Sequence, residues 1–181
     1  MNLSLINAID LGLPSGTLWA DRNLGADNPE DFGDYYRWGE TTPYTSVSPE
    51  YQFKKPADDI AGSEYDAATV LLGKNWHMPT FEQIDELIDC CKHEMTSING
   101  VTGVRVTVLN GNSIFLPAAG CCYYETHSVG CTGLFGNCLS STSGNANTVF
   151  CLDFFSNVLG WIRNNPANGY NIRPVMERRN K

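Results

Sequence analysis

Histidines, cysteines and paired carboxylates are the residues here that could do chemistry, and their spacing supports little of it. His77, His93 and His127 do not recur at metal-ligand intervals. Cysteines stand at 90, 91, 121, 122, 131, 138 and 151. None forms a Cys-x-x-Cys pair, so neither a zinc ribbon nor a thioredoxin-type motif is present. Two vicinal pairs are poor spacing for structural disulfides, and buried or scattered free thiols are expected, with one long-range bridge left open. No local signature joins a cysteine to a histidine for thiol catalysis. His93 reads as a solvated helix-end residue, and His77, between Trp76 and Pro79, as a hydrogen-bonded structural one. Asp58-Asp59 and Asn28-Pro29-Glu30-Asp31 could offer oxygens to calcium, but no EF-hand loop is present and such pairs commonly form turns. Asp85, Glu86 and Asp89 read as a solvated helix face. A Gly-rich phosphate loop and a G-x-S-x-G elbow are both missing. These observations predict no catalytic residue, no metal and no cofactor.

Recognition chemistry is better represented, and it lies late in the chain. Of the first 120 residues 24 are charged, with a net of −10, whereas residues 121–175 carry four charges that cancel. The tail 176–181 is +2. Residues 121–175 are instead rich in Asn, Ser, Gly, Cys and aromatics, a composition suited to a binding surface. Leu159, Trp161, Arg163, Asn164, Asn165, Asn168 and Tyr170 form a mixed aromatic and amide group. Tyr, Trp and Arg serve as rigid anchors, and Asn as an adaptable hydrogen-bonding group. The competing assignments are a buried core Trp at 161 and a ligand-free Asn/Pro loop at 164–168.

The whole chain has 181 residues and a net charge of −8. At about 150 residues per domain, one domain covers 1–181. An acidic chain lacks the basic face that nucleic acid requires. No apolar stretch approaches a membrane span, so membrane insertion is not expected. The opening MNLSLINAIDLGLPSG lacks a basic start and a long apolar run, so no secretory signal is read.

Several elements must position these residues. Asp10–Leu13 and Thr17–Asp21 read as short strands around a Pro-Ser-Gly turn. Residues 27–62 read as a long loop packed by Tyr35, Tyr36 and Trp38. Ser63 is expected to cap a helix that Gly73 stops. Thr80 and Gln83 make a capping box for a helix to about residue 93, with Phe81, Ile84, Leu87, Ile88 and Cys91 on its apolar face. Val104, Val106 and Val108 alternate as a strand, and Asn110-Gly111 predicts a type I′ turn into Ile114–Leu116. Strands are expected near 138–142, 148–154, 157–162 and 170–174. Period-2 alternation places Phe150, Leu152, Phe154 and Val158 inward, and Cys151, Asp153 and Phe155 outward. The fold class is α+β.

Five segments carry a family resemblance: DLGLPSGTLWA (10–20), NLGADNPEDFGDYYRWGETTPY (23–44), NWHMPTFEQIDELID (75–89), NGVTGVRVTVLNGNSIFLPAAG (99–120) and IRPV (172–175). Over about residues 9–175 the chain resembles the Fibrobacter succinogenes major paralogous domain family of gut Bacteroides-type bacteria and their phages. That resemblance implies a C-type lectin-like fold, two helices plus twisted antiparallel sheets with long loops, in the branch that includes formylglycine-generating enzymes. It also implies termini that lie close together. Some proteins of this fold are variable proteins of diversity-generating retroelements, whose C-terminal segment is rewritten at adenines and displayed as a ligand-binding face. Their pattern is similar to Gly136–Ser141, Leu152-Asp153-Phe154 and Pro166–Val175 here, with Leu139 in place of a Trp and Pro166 in place of an Arg.

The resemblance brings an internal test. Adenine randomisation of AAC or AAT codons cannot reach Lys, Glu, Gln, Met or Trp. Residues 121–175 contain no Lys, Gln or Met, one Glu (Glu125) and one Trp (Trp161), where ordinary usage gives on the order of ten. A β-rich face that simply avoids Lys and Glu is the alternative cause. The expected ligand contacts are therefore Asn137, Cys138, Cys151, Asp153, Phe155, Leu159, Trp161, Arg163, Asn164, Asn165, Asn168 and Tyr170. The expected function is non-catalytic binding of a cell-surface protein or glycan receptor, on a virion or bacterial surface, with multivalency from homo-oligomerisation in a larger assembly. A fixed adhesin or structural module, or a formylglycine-generating-like enzyme, are the alternatives. Calcium-dependent sugar binding ranks below these because the usual Glu-Pro-Asn or Gln-Pro-Asp triplet does not occur.

Overall fold

The computed structural model describes residues 6–178 except 46, 49, 54 and 146. In chain order its elements are β1 (Ala8–Asp10), β2 (Thr17–Ala20), α1 (Ala67–Leu72), α2 (Phe81–Cys90), β3 (Lys92–Ile98), β4 (Val101–Thr107), β5 (Ser113–Pro117), β6 (Cys121–Tyr123), β7 (Ser128–Gly130), β8 (Phe135–Ser143), β9 (Val149–Phe155), β10 (Val158–Asn164) and β11 (Val175–Glu177). The fold is α+β, with two helices and several antiparallel sheets. Arg179 and Lys181, which make the tail basic, lie outside the described residues.

Side-chain caps set the helix starts. Gln83 N–H donates to Thr80 Oγ1 at 3.3 Å and Thr80 N–H to Gln83 Oε1 at 3.0 Å, which is the capping box expected for α2. Ile84 and Leu87 are buried on its inner face. The helix stops at Cys90 rather than near 93, because Lys92 already pairs with Thr107. His93 therefore sits on β3, where its Nε2 donates to the Asn157 carbonyl at 3.1 Å. The first helix begins at Ala67, not Ser63. Buried Asp66 caps it by accepting from Thr69 N–H at 3.1 Å, and the same carboxylate takes the N–H groups of Gly62 and Met78. Ser63 instead closes a turn onto the Ile60 carbonyl. Gly73 stops the helix at φ 94°.

The turn after β4 is not the type expected. Gly111 has φ 87°, Asn110 has no positive φ, and Gly111 N–H bonds to the Val108 carbonyl. That is a type I turn followed by a left-handed glycine. A two-residue turn with both residues at positive φ occurs instead between β9 and β10, at Ser156 (50°) and Asn157 (65°).

Strand β2 pairs with both β1 and β11, so the first and last strands share one sheet. Buried Arg173 anchors that closure. Its guanidinium donates to Asn23 Oδ1, the Ala20 carbonyl and the Phe115 carbonyl at 2.9, 3.1 and 2.7 Å. The expected strand at 170–174 is instead a run of isolated bridges, Tyr170 to Tyr36 and Asn171 to Cys138, before β11. In the long loop Tyr36 and Trp38 are buried as expected, and Tyr35 OH donates to the Ala119 carbonyl at 2.7 Å.

The sheet β10-β9-β8 lies between two cores. On one side Cys138, Leu152, Phe154 and Leu159 pack with Ile84, Leu87 and Val104. On the other, Leu139, Val149 and Cys151 pack with Tyr36, Trp38, Tyr170 and Ile172. The inner part of this sheet is buried on both faces, so alternation along β9 does not separate core from solvent there.

A candidate ligand-binding face on the β9–β10 hairpin

Strand β10 is the edge of its sheet, and its register is set by the turn. A two-residue hairpin places Val158 opposite Phe155 and Leu159 opposite Phe154. Phe150, Leu152, Phe154, Leu159, Trp161 and Arg163 thus share the side that faces α2. Cys151, Asp153, Phe155, Val158, Gly160, Ile162 and Asn164 share the other.

The α2 side ends in an aromatic cluster. Phe81, the first residue of α2, lies 4.4 Å from the Phe150 ring and 5.2 Å from the Trp161 ring, centroid to centroid. Phe150 and Trp161 meet edge to face at 5.5 Å. The Arg163 guanidinium lies 5.1 Å over Phe150 and 6.0 Å from the Trp161 centroid. Thr142 Oγ1 accepts the Phe81 N–H, which pins the helix start to β8. Trp161 is 43% exposed, so it is neither a core residue nor a free one.

The other side has an open apolar end and a polar step. Phe155 is 56% exposed, Val158 66% and Ile162 42%. A Cβ added at Gly160 would meet nothing within 4 Å, so the surface is clear there. Beside it Asn137 Nδ2 donates to Asp153 Oδ1 at 2.6 Å, and Asn164 Nδ2 approaches Asn137 Oδ1 at 3.5 Å. Burial raises the Asp153 carboxyl above its ordinary value, and the Asn137 bond opposes that only in part.

Of the twelve residues expected to touch ligand, the structure exposes Phe155, Trp161, Arg163 and Asn165, and half-exposes Asp153, Asn164 and Asn168. Asn168 Oδ1 is occupied by the Tyr124 N–H, and Asn165 Oδ1 by the Ala167 N–H. Five positions are corrected. Cys138 and Leu159 lie in the α2-side core, and Cys151 and Tyr170 in the second core. Asn137 is buried under its own hydrogen bonds. The second core covers the sheet face that alternation left open, which accounts for Cys151. Register accounts for Leu159 and for Val158, which was expected inward and faces out. Phe81, Val158 and Ile162 are surface residues of the hairpin region that sequence reasoning missed. The two-residue turn at Ser156 and Asn157 is what places Val158 beside Phe155.

Burial pushes the Cys138 thiol up to about 11, and the Cys151 thiol higher still. Both remain protonated at neutral pH, a poor state for a nucleophile or a metal ligand. All seven cysteines are free. Among the described residues no three His, Cys, Asp or Glu side chains gather where they could hold a metal ion. No described helix is long and apolar enough to cross a membrane. No protein-family model, no curated protein and no solved structure matches the chain.

Proposed function

We propose that this protein is a non-catalytic ligand- or receptor-binding domain of C-type lectin-like fold, similar to the variable proteins of diversity-generating retroelements. The observation that carries this reading is the β9–β10 hairpin. It sets Phe155, Val158 and Ile162 toward solvent on one side and Trp161 on the α2 side, within a neutral tract of an otherwise acidic chain. Clustered exposed aromatic and aliphatic side chains, such as Phe155 with Val158 across the turn, mark interaction sites. These side chains rest on a hairpin whose backbone is held by a tight turn and by two cores, so they can change without moving the frame. The sharing of one sheet by β1, β2 and β11 agrees with the adjacent termini that the family resemblance implies. The shortage of Lys, Glu, Gln, Met and Trp in 121–175 agrees with adenine-directed diversification.

The chain is then displayed on a virion or bacterial surface and binds a cell-surface protein or glycan. Sequencing the gene and its flanks from sibling isolates tests this. Substitutions concentrated in codons 121–175, at positions matching adenines in a nearby template repeat, are expected. Constant codons with no template would leave a fixed adhesin or structural module.

A further inference from the structure

We propose that the Phe81–Phe150–Trp161–Arg163 cluster binds the terminal acidic sugar of a glycan, a pyranose bearing one carboxylate. The proposal rests on the binding-domain reading above and specifies its ligand.

Arg163 carries the argument. Between residues 121 and 175 the cations are Arg163 and Arg173, and Arg173 is buried. Among the described residues no carboxylate pairs with Arg163; its neighbours are the Phe150 and Trp161 rings. A guanidinium resting on rings is oriented by them while its N–H edge stays available. That edge matches a carboxylate with two parallel hydrogen bonds. Trp161, edge-on at 78° to both Phe81 and Phe150 and 43% exposed, presents indole surface near the guanidinium. An aromatic surface packs against the C–H face of a pyranose. A cluster with one cation, on a protein of net charge −8, suits a ligand with a single carboxylate, whereas an acidic peptide with many carboxylates would be repelled.

The test titrates the full 15N-labelled chain with sialyllactose, lactose and a hexaglutamate peptide. It follows the Trp161 indole N–H, assigned by its loss in Trp161→Phe. A saturable shift with sialyllactose, none with lactose, and at least about tenfold weaker binding in Arg163→Gln are expected. Arg163→Lys, which keeps the charge and loses the fork, should recover only part of the loss. The proposal is overturned if sialyllactose leaves the indole unmoved, if lactose moves it equally, if Arg163→Gln binds as well as the parent, or if the peptide binds more tightly. Sibling sequencing separates this failure from that of the broader reading. Varied codons with an unmoved indole remove the acidic sugar alone; constant codons with a sialyllactose-specific shift remove diversification alone.

Discussion

Val158 stands opposite Phe155 across the two-residue turn of Ser156 and Asn157, and both side chains face solvent. This pairing decides which residues of β10 are exposed. A turn one residue longer would move the pairing by one position and exchange Val158 with Leu159 between surface and core.

Tolerance to substitution should follow that register. Phe155→Ser and Ile162→Asn are expected to change unfolding free energy by less than about 0.5 kcal/mol, as exposed side chains do. Leu159→Asn buries an amide among apolar groups and should cost about 3 kcal/mol. Urea unfolding of the three variants checks this, and equal losses would contradict the register.

Asn157 holds the turn at φ 65°, and its Oδ1 also accepts the Met95 N–H at 3.1 Å. Asn157→Val puts a β-branched residue in the left-handed region and orphans that donor. A loss of about 2 kcal/mol is expected from the two effects together. Asn157→Gly, which relieves the backbone and loses only the side-chain bond, should cost less.

Asp66 gathers three separated backbone donors, from Gly62, Thr69 and Met78. Asp66→Ala should therefore lower stability by about 3 kcal/mol, more than loss of an ordinary helix cap. Asp66→Asn keeps one acceptor oxygen and should fall between. The urea midpoint at constant m reads both.

Asp153 gives a pH signature. Its folded pKa lies above its ordinary value because of burial, so the folded state holds this proton more tightly than the unfolded chain. The stability it contributes is full below the unfolded pKa and is lost as pH rises through the folded one. Asp153→Asn removes that loss while its oxygen can still accept from Asn137. The variant should be more stable than the parent at pH 7, and the two should converge below about pH 3. A constant difference across that range would show that the carboxylate is not the cause.

Arg173 ties β11 to β2 and β5 through two carbonyls and Asn23. Arg173→Met leaves all three acceptors buried without a donor and should cost about 3 kcal/mol or more. Arg173→Lys cannot span the same three directions and should rescue little. Thermal unfolding compares them.

Local chemistry was legible in the sequence where a short pattern was sufficient. The Thr80–Gln83 box, the Gly73 stop, the alternating valines of β4 and the inward Leu152 and Phe154 all depend on residues within a few positions of one another. The α+β class and the neutral, amide-rich tract were legible for the same reason. β3 was missed because Lys92–Ile98 is polar and half-exposed, and only its pairing with β4 makes it a strand. Tertiary structure alone decided that Cys151 and Tyr170 are buried, because the layer covering them comes from Tyr36 and Trp38, more than a hundred residues away. It alone brought Phe81 to Phe150 and Trp161. Hydrophobic period reports which residues share a face; whether that face meets water depends on what the rest of the chain lays over it.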